Sequence, residues 1–322
     1  MRLMPSSLRC FYRANAHVLW LMLLVGVISF GWFLIDGNVG INLADEGYLW
    51  YGIAALKAGM IPIRDFQSYD PGRYVWITAG SILFGDGLVG MRASCVLFTC
   101  IGVTCGALAA RRLSHDWGFL FLIVLPLILW MAPRYKSFEQ SIALIGVYAA
   151  IRLIEQPITR QFFFSGIFIG LMAFMGRNHG VYMVVAFSLV LLFLSAGNWK
   201  VLPRRILVSC AGILVGYLPQ LLMWAFVPGY LNAYIAMLGR ELTLGTNLAK
   251  VVPWPWLALS QAHDIAGFCN VIQCCFYVLL PMFLFIGLCV ILFLRPMQAI
   301  RHPLLVAAMA VSLPYAHFTF SR

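Results

Sequence analysis

Between Asp45 and Arg73 the chain collects the carboxylates Asp45, Glu46, Asp65 and Asp70 together with Arg64 and Arg73. A carboxylate can take the proton of a hydroxyl nucleophile, and a neighbouring arginine can neutralise an anionic leaving group such as a phosphate. Asp45, Glu46 and Asp70 are therefore the candidate catalytic acids. Arg64 and Arg73 are candidate phosphate binders, joined by Arg134, Lys136, Arg177 and His179 at later polar breaks between apolar runs. Each of these basic residues also suits a snorkelling anchor at a membrane interface. Asp45-Glu46 equally suits a helix start, where a capping carboxylate contributes about 0.5–2 kcal/mol. His263-Asp264 offers two metal-ligand types, too few for a site.

Two short elements must carry these groups. Leu49, Ile53, Leu56 and Met60 recur at steps of three and four, which predicts an amphipathic helix able to lie flat on a bilayer, ended by Gly59 and Pro62. Tyr74 to Phe84 is apolar but too short to cross, and reads as a second interfacial helix closed by Gly85-Asp86-Gly87.

The surrounding composition sets the environment. The chain is 62% hydrophobic and 10% charged, with a mean hydropathy of +0.90, whereas soluble domains carry about 25% charged residues. That excludes a soluble globular protein and a disordered one. A net charge of +11 invites a nucleic-acid reading, but the basic residues punctuate apolar runs instead of forming one patch, so the expected partner is the lipid bilayer and not nucleic acid. The nine cysteines lack metal-ligand spacing and read as small packing residues.

Nine apolar runs are long enough to be spans in a core about 30 Å thick, at roughly 17–35, 88–110, 117–133, 138–154, 162–176, 180–196, 206–227, 270–294 and 303–319. The predicted fold class is an all-α polytopic membrane protein, residues 1–322 forming a single transmembrane domain. The first run lacks a small-residue cleavage pattern and reads as an uncleaved anchor. With a cytoplasmic N-terminus, twelve of the 22 basic residues fall in short inner segments, and only Asp116 and Glu155 of the eleven acids do. Two long outer loops follow, 36–87 and 228–269. The second contains Val252-Pro253-Trp254-Pro255-Trp256, suited to the head-group level. Gly102/Gly106, Gly166/Gly170 and Gly212/Gly216 form three G-x-x-x-G pairs, expected to mark close helix packing.

Asp45-Glu46 after the first span, an amphipathic helix ending near a glycine, Arg64-Asp65-Phe66, Asp70-Pro71 and an aromatic-rich helix together resemble the first outer loop of GT-C glycosyltransferases. The closest-looking branch is that of the protein O-mannosyltransferases and lipid A aminoarabinose transferases. Arg92 and Arg111-Arg112 fit the same pattern, and the resemblance covers residues 17–196. It implies a membrane enzyme that moves a sugar from a polyprenyl-phosphate donor to a cell-envelope acceptor on the non-cytoplasmic face, in the inner (plasma) membrane of a bacterium. It further implies that Asp45 serves as base or orienting group with Glu46 beside it, and that Asp70 matches the family's second loop acid, here followed by a single proline. The leaving phosphate needs arginine, lysine or a divalent metal.

Two alternatives stay open: a transporter or flippase for a lipid-linked sugar, and a truncated, non-catalytic relative. Charge-free span centres and a surface cluster of acids favour an enzyme. The predicted topology has a direct check. A cysteine at position 45 should react with a membrane-impermeant thiol reagent from outside and one at position 115 only from inside; the reverse pattern overturns the assignment.

Overall fold

The computed structural model describes residues 6–131, 137–244, 253–260, 262–293 and 301–320. Fourteen α-helices account for most of them, and no strand occurs among the described residues beyond a single bridge between Pro62 and Phe66. The chain is an all-helical, multi-pass membrane protein. Five helices are long and apolar enough to cross a bilayer, or six if one bent pair counts as a span. Side chains such as Leu34, Ile82, Leu207 and Phe285 stand exposed around the helices, an outer surface that only lipid would solvate.

All nine apolar runs coincide with helices. The runs are α1 (Ser6–Asp36), α4 (Leu88–Ala110), α5 (Trp117–Trp130), α6 (Ser137–Glu155), α7 (Thr159–Met175), α8 (Arg177–Ser195), the pair α9 (Leu202–Gly216) and α10 (Leu218–Phe226), α13 (Ile265–Phe293) and α14 (Arg301–Phe320). Apolar segments in α5, α7 and α14 fall short of span length. The run predicted at 206–227 is bent by 58°, because Pro219 in the first turn of α10 has no N–H to continue the ladder from α9. Between the runs lie α2 (Asp45–Lys57), α3 (Pro71–Phe84), α11 (Tyr230–Leu244) and α12 (Pro255–Leu259). The 15-residue α11 occupies what the sequence presents as loop. Trp254 and Trp256 stack with ring centroids 5.0 Å apart and planes within 6°; Val252 lies outside the described residues.

The helices cluster into two compact units, Met1–Ala149 and Ala150–Arg322, where the sequence reads as one domain. In the first unit α1, α4 and α5 enclose a core of Leu21, Val25, Val103, Ala107, Leu120 and Val124. α3 packs along α4 through Gly80, which lies against Ser94, and through Trp76, whose Nε1 donates to the Ser94 carbonyl at 2.9 Å. Tyr74 and Ile77 are fully buried, so α3 is a packed layer of the unit and not only a helix resting on lipid.

In the second unit the two G-x-x-x-G pairs of α7 and α9 meet each other. A Cβ at Gly166 would strike the Ser209 carbonyl, one at Gly212 the Phe163 carbonyl, and one at Gly216 the Ile167 carbonyl. Backbone rests on backbone there, as small residues permit in lipid, where dispersion replaces the hydrophobic effect between helices. Gly212→Leu should therefore part α7 from α9, costing about 1–3 kcal/mol or more and lowering the unfolding midpoint in micelles. Gly26→Leu, facing open space, should leave it unchanged; equal effects would remove the packing explanation.

Candidate functional site

Asn42 starts the site. Its side-chain Oδ1 accepts from the Asp45 backbone N–H at 3.1 Å, while its own N–H donates to Glu46 Oε2 at 3.0 Å. These two bonds close the turn that leads into α2, whose N-cap is Ala44. Asn42 Nδ2 also donates to Asp45 Oδ2 at 3.1 Å, which steadies a half-buried carboxylate.

Neighbouring residues on a helix do not face the same way, and that separates Asp45 from Glu46. Glu46 is 2% exposed and turned inward. Arg92, itself 1% exposed, grips it with Nε to Oε1 at 2.9 Å and Nη2 to Oε2 at 2.8 Å. The remaining donors of Arg92 reach the Gly37 carbonyl at 2.7 Å and the Gly40 carbonyl at 2.5 Å. One guanidinium thus ties the end of α1, the following turn and α2 to the start of α4. The sequence pairs Glu46 with Asp45 as a second acid; in the structure its carboxylate is bound up in this interior clamp.

The loop from α2 to α3 is folded back on itself. Asp65 receives the Ile61 N–H at 2.7 Å and a two-pronged contact from Arg64, Nε at 2.8 Å and Nη2 at 2.9 Å. Arg64, then the Ile61 amide, hold the Asp65 carboxyl below its ordinary range. Ile63 sits at φ 73°, a left-handed conformation that a β-branched residue tolerates only where surrounding bonds impose it. Those bonds are Ile63 N–H to Phe66 O at 3.1 Å and Asp65 N–H to Ile61 O at 2.9 Å. Lys57 pairs with Asp86 and links the far ends of α2 and α3. Arg64 accordingly faces a partner of its own.

Asp70 precedes Pro71, the first residue of α3, and is 8% exposed. One turn on, Arg73 is also 8% exposed. Its Nη2 lies 3.0 Å from Glu139 Oε1, and its guanidinium covers the Tyr69 ring at 5.1 Å and the Phe138 ring at 5.5 Å. Phe138 packs tilted against Phe98, and Phe98 meets Trp76 edge-on, with centroids 4.8 and 5.2 Å apart. Tyr48 meets Tyr69 edge-on at 5.1 Å. Tyr74 Oη accepts from the Tyr69 N–H at 3.1 Å.

Tyr69 is the meeting point. Burial raises its phenol, Arg73 opposes that, and the carboxylates Asp45 and Glu139 reinforce it. Burial likewise pushes Tyr48 up to about 12, with Tyr69 adding to the effect, and raises Tyr74 further. At neutral pH these phenols stay protonated and able to donate. Asp45, Tyr69, Arg73 and Glu139 thus form one neighbourhood: a half-exposed carboxylate, a phenol and a buried arginine oriented by a second acid. No family model, curated protein or solved structure matches this chain.

Glu139, Tyr69 and Tyr48 are absent from the sequence-derived candidates. The available signal was Glu139 itself, an acid in the first turn of an apolar helix. Arg134 and Lys136 lie outside the described residues. Arg177 and His179, which the sequence places at a polar break between apolar runs, belong to the second unit and lie within a helix. Helix α8 starts directly after the extended Gly176, so both residues lie in its first turn. Arg177 pairs with Glu241, and buried His179 places Nδ1 3.0 Å from Tyr315 Oη. Asp264 accepts from the Gly267 N–H at 2.7 Å, capping α13. Among the described residues no group of three or more His, Cys, Asp or Glu side chains could hold a metal ion.

The two adjacent acids should separate cleanly on mutation. Glu46→Gln strands the Arg92 charge and should cost about 3–5 kcal/mol, seen as a large fall in melting temperature of the purified protein. Asp45→Asn should leave melting nearly unchanged; a converse result would reverse their structural ranking.

Proposed function

We propose that this protein is a GT-C-type glycosyltransferase of the bacterial inner membrane, with nine spans and a cytoplasmic N-terminus. It transfers a sugar from a polyprenyl-phosphate donor to a cell-envelope acceptor on the non-cytoplasmic face. The observation that carries this reading is the convergence of Asp45, Arg73 and Glu139 on Tyr69, at the end of a lipid-facing bundle.

Asp45 takes the proton of the acceptor hydroxyl as its oxygen bonds to the sugar's anomeric carbon. The bond from that carbon to the phosphate oxygen breaks, and polyprenyl phosphate leaves with the electron pair. Arg73 meets the charge that develops, and protonated Tyr48 and Tyr69 donate hydrogen bonds to it. Glu139 and the Tyr69 and Phe138 rings keep the Arg73 guanidinium oriented. Asp70 is assigned a supporting role at the start of α3 and Arg64 a role in drawing the phosphate to the loop, while Arg134 and Lys136 are kept as phosphate-binding candidates from the sequence alone. Arg177 and His179, in the second unit, are kept as phosphate-binding candidates of that unit alone. Glu46 acts through Arg92 by fixing the loop.

A transport reading has one observation in its favour. The break between α9 and α10 puts Gln220 in the interior, 1% exposed, with Nε2 donating to Tyr230 Oη at 3.1 Å, and interrupted helices are common where transporters bind cargo. Envelope glycans compared by mass spectrometry separate the readings. Cells carrying Asp45→Asn should lose the transferred sugar, by at least about a hundredfold for a lost general base, while protein levels hold. Unaltered transfer would end the enzyme reading, and donor lipid trapped in the inner leaflet with loop acids dispensable would support transport.

A further inference from the structure

At the opposite end of α4 from Arg92, the first unit gathers basic groups that the proposed reaction does not use. Arg111 Nε donates to His115 Nδ1 at 3.1 Å, which leaves the exposed His115 with its other ring N–H as a donor. Both lie within Coulombic reach of His17 on α1, and Arg112 adds a fourth basic residue in sequence. Arg111 Nη1 is buried without a hydrogen-bond acceptor among the described residues. A buried guanidinium N–H in that state is costly unless an acceptor arrives. The nearby carboxylate Asp116 is engaged by the Phe119 N–H at 2.8 Å as the cap of α5.

Directly alongside runs an open apolar groove of about 550 Å³, lined by Trp20, Leu23, Leu24 and Val27 of α1 and by Trp117 of α5. Trp20 is one helical turn beyond His17, and Trp117 follows His115 by two residues, so the groove begins at the basic cluster. Its volume falls within the roughly 300–1,000 Å³ that small-molecule sites span. Two tryptophans at the mouth of an apolar channel suit the boundary between head groups and acyl chains.

We propose that this combined feature binds an anionic phospholipid of the surrounding bilayer. Its phosphate is held by Arg111, His115 and His17, and an acyl chain lies along Trp20, Leu24, Val27 and Trp117. The Arg111 guanidinium supplies complementary charge for a phosphodiester, the two imidazoles supply N–H donors, and the groove supplies what a free phosphate has no use for. Basic pockets between membrane helices recognise anionic head groups by this division of labour.

The full-length protein, purified in mild detergent, is incubated with phosphatidylglycerol or phosphatidylcholine and bound lipid is counted by native mass spectrometry. Phosphatidylglycerol should be retained in preference. The exposed-site variant His17→Glu and the variant Arg111→Gln should each lose that preference by about fivefold or more, the worth of one basic residue near a membrane surface. Trp20→Ala should weaken retention of both lipids, and Asp45→Asn should change neither. His17→Glu keeps the test valid if Arg111→Gln misfolds. Equal retention of the two lipids by wild-type protein overturns the proposal. So does displacement of phosphatidylglycerol by millimolar inorganic phosphate, which identifies a free-anion site, or a preference confined to polyprenyl phosphate, which identifies a donor site.

Discussion

A buried guanidinium facing a buried carboxylate is the constraint on which the first unit turns. Either ion left alone in that interior would carry a heavy cost, since desolvating an isolated charge takes several kcal/mol even after relaxation. The pair survives because four of the five N–H groups of Arg92 find acceptors: two on Glu46 and the carbonyls of Gly37 and Gly40. Those acceptors come from three successive pieces of chain. Once they are fixed to α4, the start of α2 has one position, and Asp45 is carried with it to the half-exposed side.

The second half of the site rests on a different kind of support. Arg73 is held by planes as well as by charge: Tyr69 at one ring contact, Phe138 at another, with Glu139 paired to its Nη2. Phe98 and Trp76 continue that run of packed rings into the contact between α3 and α4. Rings with two torsions lose little entropy when ordered and resist rotation once packed, so the arginine is positioned before any ligand arrives. Such preorganisation is what electrostatic stabilisation of a leaving group requires.

What could be read from the sequence divides along range. Apolar runs mark helices because a bilayer rewards length and hydrophobicity locally, and each of the nine runs coincides with a helix or a bent pair. The G-x-x-x-G pairs of α7 and α9 announced close packing, since small residues at that spacing make one flat face; which pairs would meet was not visible. Asp45, Asp70 and Arg73 were legible as chemistry-bearing types. Glu139 was not, because 66 positions separate it from Arg73 and no periodicity spans that interval. The same distance problem hid the fate of Glu46, whose partner lies 46 residues away. Helix α11 was overlooked because its apolar residues are diluted by polar ones within a long connection, and α9 and α10 read as one run because hydropathy does not register a missing N–H at Pro219.

The glycine crossing of α7 and α9 has a mechanical side. Where backbone touches backbone there are no rotamers to switch, so the two helices can neither slide by repacking nor swell to admit a lipid chain; they behave as a single strut. Pliancy in that unit is therefore displaced to the joint at Gly216–Pro219, where the strut ends and the hydrogen-bond ladder is interrupted. Stiffness engineered by four missing Cβ atoms thereby decides where the chain is free to flex.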